Sequence, residues 1–132
     1  MSYKDEIGRL GENLVADWLK KQGFIIVKRN YFSKYGEIDI CAEKKEYIIF
    51  VEVKTREKDS PITPRGAVSR NKMKKIVLTA KQYLKKLRVD RPFRFDIAEV
   101  EYLVSVDGEF VTTLNYIKNA FGEEVLDNSK PF

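Results

Sequence analysis

The chain has 132 residues, 43% of them hydrophobic and 34% charged, with a net charge of +5. That composition predicts one soluble globular domain with a modest core, and no apolar run approaches the length of a membrane span. Histidine is absent and Cys41 is the sole cysteine, which excludes an intrachain disulfide, a Cys/His zinc site and any histidine general base. Carboxylate, lysine and metal chemistry remain, and the positive balance favours a polyanionic partner wherever the charges gather near a site.

The opening residues MSYKDEIGRL carry acidic side chains and no continuous apolar segment, so they predict no secretory signal and a cytoplasmic protein. From about Lys4 to Gln22 the pattern fits an amphipathic helix ended by Gly23. Ile7, Leu10, Gly11, Leu14 and Trp18 form one stripe, widened by Val15 and Leu19. Glu12 falls just past the margin of that stripe, where it either stays solvated or reaches across the edge of a sheet. Arg9 can touch phosphate or pair with Asp5 or Glu12. Phe24 to Tyr31 reads as a first strand, followed by the turn-like FSKYG.

Glu37 to Glu43 and Glu46 to Thr55 read as a hairpin. The second run is apolar on both faces through Ile48, Ile49, Phe50 and Val51, as a central strand of a mixed sheet would be, until Glu52 and Lys54 interrupt it. If Lys44 and Lys45 form a two-residue turn, Glu43 pairs with Glu46 and Asp39 lies opposite Phe50. Asp39, Glu52 and Lys54 then project from one face, with Glu37 opposite Glu52 as a rival ligand. A three-residue turn would put Asp39 on the other face. Asp39, Glu52 and the peptide carbonyl of Val53 suit a hard divalent cation, Mg²⁺ or Mn²⁺, and Lys54 would sit beside an attacking water. An exposed ion pair is the ordinary use of Glu52 and Lys54. Three polar residues buried on one face, however, need solvent or a charged partner. Cys41 shares the Asp39 face and, with no partner base, reads as packing.

The segment EKDSPITPRGAVS reads as a loop beside the site, with Arg56 and Arg65 as phosphate contacts or solvated loop charges. Ser69 caps a helix running to Leu87, whose apolar stripe is Met73, Ile76, Val77, Ala80, Leu84 and Leu87. Arg70, Lys72 and Lys75, nearest its start, are candidate nucleic-acid backbone contacts. Arg94 to Leu103 reads as a strand with Phe95, Ile97 and Val100 inward and Asp96 salt-bridged to an arginine. Asp107-Gly108 then signals a hairpin into a last strand. Asn115 to Phe121 reads as a short helix, and residues 122–132 as a loosely ordered tail beyond a single domain of residues 1–121.

Asp39 followed by Glu52, Val53 and Lys54 after an apolar strand resembles the PD-(D/E)xK nuclease motif, with Ile38 where that motif has proline. GRLGENLVADWLKKQGF, GEIDI, FVEVKTR, a basic helix and RFDIAEV, from about Gly8 to about Val100, together resemble the YraN-like family of predicted endonucleases. That family is itself similar to archaeal Holliday-junction resolvases. The resemblance implies an α/β fold with a central mixed β-sheet flanked by helices, restriction-endonuclease-like. It also implies that Glu12 joins Asp39, Glu52 and Lys54 in the site, that the substrate is DNA, branched DNA included, and that a homodimer matches a two-fold junction.

The resulting expectation is a Mg²⁺- or Mn²⁺-dependent DNA endonuclease in which Asp39, Glu52 and Val53 hold the metal, Lys54 positions water and Glu12 completes the carboxylate set. Arg9, Arg56, Arg65, Arg70, Lys72 and Lys75 would contact the DNA. Two alternatives stand beside it: a nucleic-acid-binding module that keeps the fold with little or no cleavage, and a protein-interaction domain whose acidic cluster is structural.

Overall fold

Ser2 accepts a hydrogen bond from the Asp5 N–H at 3.2 Å and so starts helix α1 (Tyr3–Lys21), which ends before Gly23 at φ 96°. A computed structural model of the protein describes residues 2–45, 47–58 and 68–127. After α1 come β1 (Ile25–Phe32), β2 (Glu37–Lys44) and β3 (Tyr47–Glu57), then α2 (Arg70–Leu87), β4 (Phe93–Val104) and β5 (Phe110–Phe121). A short 3₁₀ turn, Glu123–Leu126, follows.

The strands form one five-stranded sheet in the order β1-β2-β3-β4-β5. β3 is central, antiparallel to β2 and parallel to β4 from Ile48↔Phe93 to Glu57↔Tyr102. A parallel pair needs a crossover, and α2 lies in it. The two faces of β3 are both covered, as its apolar run requires. Ile49 and Val51 pack with Val15, Ala16 and Leu19 of α1, while Ile48 and Phe50 pack with Met73, Ile76, Val77 and Tyr83 of α2. This is the central mixed sheet flanked by helices that the sequence predicts. None of the described helices is long and apolar enough to cross a membrane.

Three expectations fail. Asn115 to Phe121 is not a helix but the second half of β5, paired with β4. Its apolar spacing imitates a helix because the strand bulges there: the pairing shifts between Ile97 and Phe95, and Asn119 takes φ 52°. The start of the expected loose tail is instead packed, with Val125 fully buried in the core against α2; residues 128–132 lie outside the described ones. On α2 the buried stripe includes Thr79 and Tyr83, and Leu87 is exposed. The proline-containing loop falls mostly on residues 59–67, outside the described residues, and β3 itself runs on to Glu57.

Candidate metal and nucleic-acid site

The hairpin closes later than expected. Lys44 faces Tyr47, Glu43 faces Ile48 and Cys41, not Asp39, faces Phe50. The reason lies in Lys45, which takes the left-handed conformation (φ 56°) without a glycine or asparagine to announce it. The slip is two residues, so each side chain keeps its face. It carries Asp39 level with Glu52 and moves Glu37, the expected opposite of Glu52, past it.

The ladder between β2 and β3 stops at Ile40↔Val51, and Asp39 stands where the strands part. Side-chain alternation also breaks here, since Ile38 packs with the α2-side core and Ile40 with the α1-side core. Asp39 turns into the gap and accepts a hydrogen bond from the Val53 N–H at 2.8 Å, replacing the missing strand partner. Because a strand residue's N–H and C=O point to the same neighbour, the Val53 carbonyl faces this gap too. Even-numbered β3 residues turn their backbone to β4 instead, as the Ile48 N–H bonded to the Pro92 carbonyl at 3.0 Å shows.

Asp39 and Glu52 are 8% and 6% exposed and lie side by side. Burial, and then hydrogen bonding and charge from Asp39, push the Glu52 carboxyl up to about 9, against the opposing pull of Lys72. That lysine reaches in from the first turn of α2 and places its Nζ 3.4 Å from a Glu52 oxygen. Glu37 is also raised, by burial and then Asp39, with Lys72 opposing. Lys72 therefore serves as the local counter-ion of the acidic cluster, a placement that no feature of its sequence context signals.

Glu12 approaches from the α1 side. Its carboxyl is raised by burial and then by Asp39, and lowered by Arg29, whose guanidinium lies 3.7 Å away. Gly11 makes the approach possible: a Cβ there would collide with the Thr55 hydroxyl of β3, so only glycine lets α1 lie this close. Arg9, Glu12, Arg29, Asn30 and Glu37 line an open groove of about 1030 Å³ beside the cluster. Arg29 was not anticipated, because the β1 pattern marks it only as a polar strand residue.

The remaining expected residues separate. Lys54, two residues beyond Glu52 and on its face by alternation, makes no hydrogen bond or ion pair among the described residues. Arg56 is not on a loop but in β3, half-buried and 3.3 Å from Glu101. Arg70 donates to the Asp127 carbonyl at 2.6 Å. Lys75 is exposed and packs near Gly36, and Arg65 lies outside the described residues. Cys41 is fully buried in the α2-side core, and burial pushes its thiol up to about 12, which makes it inert. Asp96 pairs with Arg94, as the sequence suggested.

The chemistry available is thus oxygen-donor: two adjacent carboxylates and a backbone carbonyl. Among the described residues no three Asp, Glu or Cys side chains converge to hold a metal. A model of the uncharacterised protein family UPF0102 matches residues 11–100. The chain belongs to the UPF0102 family. A UPF0102 protein of Clostridium botulinum (strain Loch Maree / Type A3) is 42% identical over 118 residues, covering 88% of this chain and 94% of the relative. One from Dictyoglomus thermophilum is 40% identical over 117 residues, covering 88% and 97%. The UPF0102 match spans the whole acidic cluster, from Glu12 to Lys72, and the observed α/β architecture is consistent with a restriction-endonuclease-like fold.

Proposed function

We propose that this chain is a divalent-metal-dependent phosphodiesterase that cuts DNA in the cytoplasm. The observation that carries the reading is the buried Asp39–Glu52 pair at the parting of β2 and β3, with the Val53 backbone turned into the same gap. Two adjacent carboxylates in a poorly solvated place are costly without a cation. The donors are all oxygen, and a pair with one carbonyl fits Mg²⁺ or Mn²⁺, which keep several waters and take phosphate oxygens as further ligands. When bound, such a metal neutralises the scissile phosphate and lowers the pKa of a water.

The protein's own part is positioning. Asp39 is itself fixed by the Val53 N–H, so its second oxygen has a set direction. Lys54, whose ammonium makes no hydrogen bond or ion pair among the described residues, would orient water or meet charge developing on phosphate, and Glu12 completes the acidic set from the α1 side. Arg9 and Lys75 flank the cluster as backbone contacts, joined by Arg29. The resemblance to resolvases extends the reading to branched DNA and a two-fold homodimer.

A second reading, a DNA-binding module without cleavage, is favoured by the Lys72 ammonium already resting on Glu52. The test is incubation of labelled duplex, single-stranded and four-way DNA with Mg²⁺, Mn²⁺ or EDTA, for wild type and Asp39→Asn. Asparagine retains an acceptor for the Val53 N–H, so the fold is kept. The expected result is metal-dependent cutting that falls about 100-fold or more in Asp39→Asn. Cutting that survives the substitution rejects the assignment, whereas intact DNA bound in a salt-sensitive way supports the module.

A further inference from the structure

One helix covers the α1 face of a five-stranded sheet, so part of that face stays open. Between the C-terminal half of α1 and β5 lies a cleft of about 500 Å³. Its position is far from the acidic cluster: its β3 residue is Tyr47, five residues from Glu52, roughly 17 Å along a strand. Its lining is aromatic and basic. Trp18 leans on Tyr116 with ring centroids 4.7 Å apart, and the Arg94 guanidinium lies 5.3 Å from the centre of the Tyr47 ring. Lys44, Arg94 and Lys118 line it, and among the described residues no aspartate or glutamate does.

Arg94 is held in a particular way. Its Nε donates to both oxygens of Asp96, at 2.9 and 3.1 Å, and Asp96 is fully buried beneath it. Arg94 also lies within side-chain hydrogen-bonding range of the Tyr116 hydroxyl, so its guanidinium is fixed against the ring wall of the cleft. Lys44 is already engaged, donating to the Gln22 carbonyl at 2.8 Å, but Lys118 is exposed and makes no ion pair among the described residues. Ring faces beside a fixed guanidinium and an exposed ammonium suit a nucleotide, with its base for the rings and its phosphate for Arg94 and Lys118.

We propose that this cleft binds an unpaired nucleotide of a DNA strand. β5 is the last strand of the sheet, so the outer wall of the cleft ends there and a polynucleotide can run on past it. The choice of DNA as the polymer rests on the proposed function, whereas the nucleotide chemistry rests on the cleft alone.

Trp18 is the sole tryptophan, so its fluorescence reports on this cleft. The experiment titrates wild type in EDTA with a short single-stranded oligodeoxynucleotide, a blunt duplex of the same length, a deoxynucleoside monophosphate and inorganic phosphate. The single strand should quench Trp18 saturably and in a salt-sensitive way, the mononucleotide more weakly, and phosphate not at all. Lys118→Glu, an exposed change that leaves the melting temperature in place, should weaken the single strand about tenfold, as losing one charge-assisted contact implies. Arg94→Lys keeps the charge and loses the fork; where circular dichroism shows it folded, it should weaken binding similarly. The proposal is overturned by absence of saturable quenching, by duplex or mononucleotide binding as tight as the single strand, or by a Lys118→Glu protein that binds like wild type. Quenching without any cleavage would retain the cleft and remove the nuclease reading, and cleavage without quenching would do the reverse.

Discussion

Asp96 and Glu52 sit on adjacent strands of one sheet, 0% and 6% exposed, yet they are met very differently. Asp96 accepts from Arg94 Nε, from the Tyr116 hydroxyl at 2.6 Å and from the Asn119 N–H at 2.9 Å. Burial and Asp96 hold the Tyr116 phenol up, so it remains a donor. Glu52 has for neighbours another carboxylate and a lysine that is 46% exposed. A buried carboxylate surrounded by donors is a closed structural unit; one placed against its own kind needs a proton or a cation from outside. Burial alone therefore does not identify a site, but the shortage of donors around a buried charge does.

The largest effect that sharpens this contrast is on stability. Asp96→Ala strands the Arg94 guanidinium, the Tyr116 hydroxyl and the Asn119 N–H together, and should cost about 3–5 kcal/mol in urea unfolding. Glu52→Gln in EDTA should cost little, because it removes an ionisable group from a crowded acidic place. If the two substitutions destabilise alike, the distinction between closed and open carboxylates is wrong.

Next in size is the pH dependence. The Glu52 carboxyl stands at about 9 when folded, against an ordinary 4.5, so between those values the folded state binds the extra proton. The stability that Glu52 contributes to the metal-free protein should be full below about pH 4.5 and be lost as pH rises towards 9, with a slope from this one group of at most about 1.4 kcal/mol per pH unit. Glu12 and Glu37, both raised, add in the same direction. Thermal unfolding from pH 5 to 9 measures it: Glu52→Gln should flatten the profile, and so should saturating Mn²⁺. A profile that rises over this range contradicts the assignment.

How far the sequence could be read follows from the same details. The α2 cap at Ser69, the two-faced apolar run of β3 and the shared face of Asp39 and Glu52 were legible because each rests on local chemistry or on a period of two. The hairpin register was not, since AEKKE lacks the glycine or asparagine that would mark Lys45 as left-handed. The site survived because the slip was an even number of residues. The second half of β5 was missed because a bulge at Asn119 breaks alternation, and its purpose, donating an N–H to Asp96, is visible only once β4 lies beside it. Lys72 and Arg29 reach the acidic cluster through tertiary packing, which no spacing encodes.

The smallest expected effect concerns Lys72, where the two centres differ most finely. Arg94 is locked to Asp96 by a two-oxygen grip, whereas Lys72 touches Glu52 at 3.4 Å and is half in solvent. An ammonium so placed is a replaceable counter-ion, and Lys72→Met should change stability by less than about 1 kcal/mol. If it competes with the metal for Glu52, removing it should tighten Mn²⁺ binding about threefold in calorimetric titration, a difference of under 1 kcal/mol. A lysine that served only as a phosphate contact would leave Mn²⁺ affinity unchanged and instead reduce the salt dependence of DNA binding by about one counterion. Weaker Mn²⁺ binding in Lys72→Met would fit neither role, and would mean that the lysine holds Glu52 in place for the metal rather than against it.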